Sequence, residues 1–140
     1  MSIVERRIHR LTGWPITHGE AMQIQRYGVD QRYVPHYDFY LRDSVEYEQL
    51  MNDGGQRVAT LILYLQTPEK GGATQLVNLG LKIAPRKGSA LFFAYPDPTP
   101  RSGTLHSGEP VISGEKWIAT KWFRQKKTSI AFSPAPATPA

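Results

Sequence analysis

Residues 57–65 form the most apolar run of the chain, and that run limits the fold more than any other stretch. It is bounded by Asn52-Asp53-Gly54-Gly55 before it and by Thr67-Pro68-Glu69-Lys70-Gly71-Gly72 after it, so it reads as one strand at the centre of a sheet. A central strand needs partners, and the chain offers several short ones. Residues 74–77, 81–84 and 89–94 read as strands, with Pro85-Arg86-Lys87-Gly88 as the turn before the last. Upstream, Met22, Ile24 and Arg26 alternate with Gln23, Gln25 and Tyr27 in a strand that ends at the turn Gly28-Val29-Asp30-Gln31. Downstream of the loop Pro96-Asp97-Pro98-Thr99-Pro100, the turn Ser113-Gly114-Glu115 leads into a final strand. There Lys116, Ile118, Thr120 and Trp122 share one face, and Trp117, Ala119, Lys121 and Phe123 the other. One helix is expected, since Ser2 and Glu5 have capping-box spacing and Val4, Ile8 and Leu11 recur at helical intervals up to about Thr12 and Gly13. Many short strands and one short helix predict a mainly-β, barrel-like or two-sheet fold, with the helix packed on a sheet.

With 140 residues the chain is expected to form one domain, residues 1–127, followed by a Pro/Ala-rich flexible tail, residues 128–140. There is no cysteine, so disulfides and thiolate metal sites are excluded and a metal must take nitrogen or oxygen ligands. No run resembles a signal peptide or a membrane span, which points to a cytoplasmic protein with no membrane partner. The net charge of +5 is scattered, densest at Lys121, Arg124, Lys126 and Lys127, and reads as a solvated face; no nucleic-acid partner is expected. Oligomeric state is left open.

The chemistry concentrates in Tyr33-Val34-Pro35-His36-Tyr37-Asp38-Phe39. Were this a strand, His36 and Asp38 would project to one face and could share an ion. Tyr27 and His36 would then lie on neighbouring strands. His106, in Gly103-Thr104-Leu105-His106-Ser107-Gly108, completes a two-histidine, one-carboxylate set that binds one side of a non-haem Fe(II) and leaves the other open. His9 and His18, by contrast, have no partner at ligand spacing. Ten residues after His106 stands Lys116, whose inward-facing ammonium would be costly unless it met an anion. The polar residues 41–55, beside the ligands, read as a loop or loose hairpin able to act as a lid.

This order, His-x-Asp, a distant His and then Lys, resembles the Fe(II)/2-oxoglutarate oxygenases, specifically the prolyl 4-hydroxylase family. Arg26-Tyr27-Gly28, Gly54-Gly55-Gln56-Arg57-Val58-Ala59-Thr60, Glu69-Lys70-Gly71-Gly72-Ala73-Thr74 and Thr120-Lys121-Trp122 continue the likeness over roughly residues 4–124. The resemblance implies a double-stranded β-helix, a jelly-roll or cupin-like barrel with a short N-terminal helix. It implies His36, Asp38 and His106 as iron ligands, Lys116 as the partner of the distal carboxylate of 2-oxoglutarate, and Tyr27 and Thr74 as further contacts to that co-substrate. Glu20, Tyr33, Arg57 and Trp122 match positions that line a peptide groove; a bland reading makes Trp122 core and Arg57 a surface ion-pair partner.

The implied activity is a dioxygenase reaction using Fe(II), 2-oxoglutarate and O2, with ascorbate admitted as an accessory, that forms succinate and CO2 and hydroxylates prolyl residues of a peptide or protein. The alternatives are an oxygenase of the same kind acting on a free amino acid or other small molecule, and a non-catalytic barrel that only binds. Two departures lie on the proposed substrate side: Ala73 stands where relatives usually carry an acidic residue, and Arg124 where some peptide-binding members carry histidine.

Overall fold

The structure, a computed structural model, describes residues 2–129. The helix α1 spans Ile3–Thr12; the Ser2 side chain accepts a hydrogen bond from the Glu5 amide, and Gly13, in the left-handed region, closes the other end. Its Ile8 is buried with Ala59, Leu61 and Phe123, so α1 covers the outer face of a sheet. Among the described residues no helix is long and apolar enough to cross a membrane.

Among the described residues ten strands follow: β1 (Gln23–Tyr27), β2 (Tyr33–His36), β3 (Arg57–Gln66), β4 (Lys70–Gly71), β5 (Thr74–Leu76), β6 (Leu81–Ile83), β7 (Ala90–Ala94), β8 (His106–Gly108), β9 (Val111–Ser113) and β10 (Lys116–Arg124). One antiparallel sheet runs β1-β10-β3-β7 and another β2-β8-β5-β6, with β4 and β9 paired separately. This is the two-sheet arrangement expected from the strand pattern and the double-stranded β-helix implied by the resemblance, with β3 inside its sheet as its apolar run demands. The main core lies between the sheets, where Tyr27, Phe39, Ile62, Tyr64, Phe93, Tyr95, Val111 and Ile118 pack together.

Three expectations need correction. The strand carrying His36 ends at that residue, and Asp38 lies in a bend beyond it, because from Tyr37 onward the backbone leaves the ladder with β8. Tyr27 and His36 are not on neighbouring strands: β1 pairs with β10 and β2 with β8, so the turn after Tyr27 crosses from one sheet to the other. Asp30, at φ 65, makes that crossing, its backbone N–H donating a hydrogen bond to the Val111 carbonyl. The segment 41–55 is no loose hairpin; it contains a short helix, α2 (Tyr47–Asn52), and its end is tied down as described below. Of the Pro/Ala-rich segment, Thr128 donates its amide to the Thr17 carbonyl and Ser129 bonds the Asp53 carboxylate; residues 130–140 lie outside the described residues.

Candidate metal centre and its cavity

The two histidines meet because β2 and β8 pair with His36 directly opposite His106, which brings their rings to 4.2 Å between centroids. Each ring is turned by its own backbone. Nδ1 of His36 lies 2.8 Å from the Val34 carbonyl, and Nδ1 of His106 lies 2.8 Å from the Thr104 carbonyl. A carbonyl can only accept, so each Nδ1 carries the proton in the neutral ring and each Nε2 presents a lone pair. Both Nε2 atoms face Asp38 Oδ1, at 3.3 Å and 3.4 Å. Two lone pairs and a carboxylate converging within 4.8 Å form a donor set for a cation. Nitrogen and oxygen ligands of this kind suit Fe(II), and the residues fit it. Burial by itself would raise the Asp38 carboxyl and lower the His106 imidazole, but their mutual attraction prevails: Asp38 is held well below the usual carboxylate range and His106 is raised.

The other oxygen of Asp38 is already engaged. Oδ2 accepts from Thr60 Oγ1 at 2.8 Å and from Trp122 Nε1 at 3.1 Å, residues that face each other across the β3–β10 ladder. Only Oδ1 is aimed at the histidines.

An open cavity of about 420 Å³, its mouth included, is lined by these ligands and by Gln25, Tyr33, Thr74, Gly108, Lys116 and Trp122, among others. Lys116 is 3% exposed, and no carboxylate among the described residues lies within ion-pair distance of its ammonium, which sits 5.3 Å from the centre of the Tyr27 ring. Burial pushes that ammonium down to about 8, against the pull of Glu109. Thr74 accepts a hydrogen bond from the buried Tyr64 hydroxyl at 2.7 Å, which leaves the Thr74 proton free to be donated into the cavity. Tyr27 is buried, and that burial pushes its phenol up to about 12, so it remains a neutral hydroxyl. A lone ammonium beside a free hydroxyl makes this end of the cavity a receptor for a carboxylate.

The four residues expected along a peptide groove separate into two pairs. Tyr33, half-buried with its ring tilted 45° against His36 at 3.8 Å between centroids, lines the cavity, as does Trp122. Glu20 and Arg57 stand behind it, 0% and 7% exposed, joined by bonds of 2.9 Å and 2.8 Å. Arg124 reaches the same glutamate at 3.2 Å and donates to the carbonyls of Gly55, Leu50 and Asp53 at 2.7–2.8 Å. Gly54 and Gly55, at φ 94 and 74, take a conformation other residues rarely adopt at the turn that brings the Asp53 and Gly55 carbonyls to it. Sequence reasoning did not single out Thr60, Tyr64, Tyr95 and Tyr40, all bonded into the site or its support. Their one sequence signal is polarity within otherwise apolar runs, most visible for Thr60 and Tyr64 in β3.

Residues 22–124 match the 2OG-Fe(II) oxygenase superfamily. A probable prolyl 4-hydroxylase 7 of Arabidopsis thaliana is 39% identical over 95% of this chain and 47% of its own length, and a probable prolyl 4-hydroxylase 9 of the same plant is 38% identical over 90% and 48%. This chain thus spans about half the length of these curated relatives. Among solved structures, the viral collagen prolyl hydroxylase of Paramecium Bursaria Chlorella virus-1, in complex with 2-oxoglutarate, superposes with a TM-score of 0.68 at 37% identity, over 86% of this chain and 70% of that one. The likeness to prolyl 4-hydroxylases read from the motifs is matched by these relatives, and the matched span contains the ligand set, the lysine and the threonine together: the chain belongs to the 2OG-Fe(II) oxygenase superfamily.

Proposed function

We propose that this chain is an Fe(II)- and 2-oxoglutarate-dependent dioxygenase that hydroxylates prolyl residues of an extended peptide or protein. The observation that carries the reading is the shared cavity: three converging ligand atoms at one point of it and an unpaired buried ammonium at another. In this reading His36, Asp38 and His106 hold the metal, and Lys116, with Thr74 and Tyr27, holds the carboxylate of the keto acid. Bound Fe(II) and 2-oxoglutarate supply the oxidising chemistry by which O2 yields a hydroxylated carbon, succinate and CO2. Tyr33 and the cavity side of Trp122 offer aromatic faces of the kind that pack on a proline ring. The ordering of the ligands by their own backbone carbonyls keeps the site prepared before anything binds.

The test is to incubate the chain with Fe(II), 2-oxoglutarate, ascorbate and a panel of proline-containing peptides, and separately with free amino acids, measuring succinate and a mass gain of one oxygen atom. Oxygen found on a peptidyl proline supports the reading. Oxygen found only on a free amino acid moves the substrate to a small molecule. Metal binding with no succinate above background across both panels leaves a binding module.

A further inference from the structure

Resting on the metal site above, we propose that Thr60, Tyr95 and Arg57 are positioning residues for the Asp38 carboxylate, with Arg57 acting in this way rather than as a contact to the substrate. Asp38 sits in a bend outside any strand, so no ladder holds its backbone. What holds it is a set of buried side chains. Thr60 Oγ1 gives its single proton to Asp38 Oδ2, so the 2.6 Å contact between Thr60 and the Tyr95 hydroxyl must run from Tyr95 to Thr60. Both residues are 0% exposed, and Tyr95 stays protonated because burial raises its phenol well above the usual range. Trp122 Nε1 adds a second donor to the same oxygen.

Arg57 completes the arrangement from the other side. Its Nη1 lies 3.3 Å from the Asp38 backbone carbonyl, and its guanidinium stacks on the Trp122 ring at 4.2 Å and on the Tyr40 ring at 4.6 Å. Glu20 fixes the guanidinium from behind through two bonds. Arg57 therefore holds the backbone of Asp38 directly and its carboxylate through Trp122. The consequence is positional: Oδ2 is occupied by two donors, and Oδ1 is the oxygen left turned toward both histidine Nε2 atoms.

The experiment uses Co(II), whose visible bands report coordination number and symmetry, together with calorimetric Co(II) affinity, on wild type, Thr60→Val, Tyr95→Phe and Arg57→Lys. Far-ultraviolet circular dichroism checks that each is folded. Thr60→Val and Arg57→Lys are expected to weaken Co(II) binding about tenfold or more and to alter the bands, and Tyr95→Phe to do so by a few-fold. For Arg57→Lys, the KM for the proline-containing peptide substrate is expected to stay within about twofold of wild type. Co(II) affinity and bands unchanged in Thr60→Val and Arg57→Lys would overturn the proposal, as would a raised peptide KM in Arg57→Lys with Co(II) binding intact. If Thr60→Val does not fold, Tyr95→Phe, which removes one buried hydroxyl, carries the same decision. Failure of the wild type itself to bind Co(II) would instead sink the metal-site reading.

Discussion

Arg124 and Glu20 are both fully buried, and they meet at 3.2 Å between Nη1 and Oε1. The pair joins the far end of β10 to the chain before β1, while the same guanidinium gathers the carbonyls at the end of α2. Removing it leaves Glu20 with Arg57 but orphans three carbonyls. Arg124→Met is expected to cost about 3–5 kcal/mol in urea unfolding, whereas Arg6→Met on the exposed side of α1 should stay within about 0.5 kcal/mol. Amide exchange across residues 50–55 should rise in the first variant only.

On the proposed function, Lys116 should set a pH limit on the capture of 2-oxoglutarate. With its ammonium near 8 in the empty pocket, the charge is present below that pH and lost above it. Affinity for 2-oxoglutarate, measured calorimetrically on Mn(II)-loaded protein, should be level from pH 7 to about 8 and then fall, approaching tenfold per pH unit. In Lys116→Gln the affinity should be low and the decline absent.

The same lysine opposes folding. Its folded value, about 8, is below its unfolded one, so between about 8 and 10.5 the unfolded chain binds more protons and stability rises with pH. At pH 7 the buried ammonium costs on the order of 3 kcal/mol. Lys116→Met should therefore be more stable than wild type at pH 7, by an amount that shrinks toward pH 10.5, while losing its hold on 2-oxoglutarate. Equal stability of the two at pH 7 would refute this.

Tyr64 governs the direction of the Thr74 hydroxyl. Tyr64→Phe removes the donor, and the Thr74 proton is then no longer committed to the cavity. A loss of about 1 kcal/mol in stability and a several-fold loss in 2-oxoglutarate affinity are expected. Thermal melts and calorimetry on one sample separate the two effects.

Metal should stabilise the fold by mass action. At a free concentration about 100 times its Kd, Mn(II) should add roughly 2.7 kcal/mol to the unfolding free energy of the wild type. Asp38→Asn keeps the size of the side chain but removes its charge, and the increment should largely disappear there. A chelator should return wild type to its metal-free melting temperature.

The features legible in the sequence are those whose signal is local or periodic. β3 announces itself by an apolar run, α1 by the Ser2–Glu5 spacing and the recurrence of Val4, Ile8 and Leu11, of which only Ile8 is buried, and the donor set by its residue types. The change of sheet after Tyr27 was not legible, because a turn signal does not say whether the next strand pairs with the last one. The position of Asp38 was not legible either: a two-residue spacing puts side chains on one face only while the strand lasts, and here the bend reaches the same result by another route. β1 is a further case. Its glutamines are half-buried, Tyr27 joins the core and Ile24 is exposed, and Gln25 lines the cavity. Thr60, Tyr95 and Tyr40 were hidden because each finds its partner at least 20 residues away in sequence, Thr60 at Asp38 and Tyr95, Tyr40 at Glu20, and such pairings have no spacing rule.

β10 keeps a regular register with β3 from Ile118 to Phe123, with register shifts at Trp117/Ile118 and at Phe123/Arg124. An inserted residue at either shift can be taken up as a bulge. One inserted between them would turn Thr120, Trp122 or both away from the cavity, according to its place. Natural length variation in this strand should therefore gather at its two ends, and the stretch between them should be the part of the gene where insertions and deletions are purged.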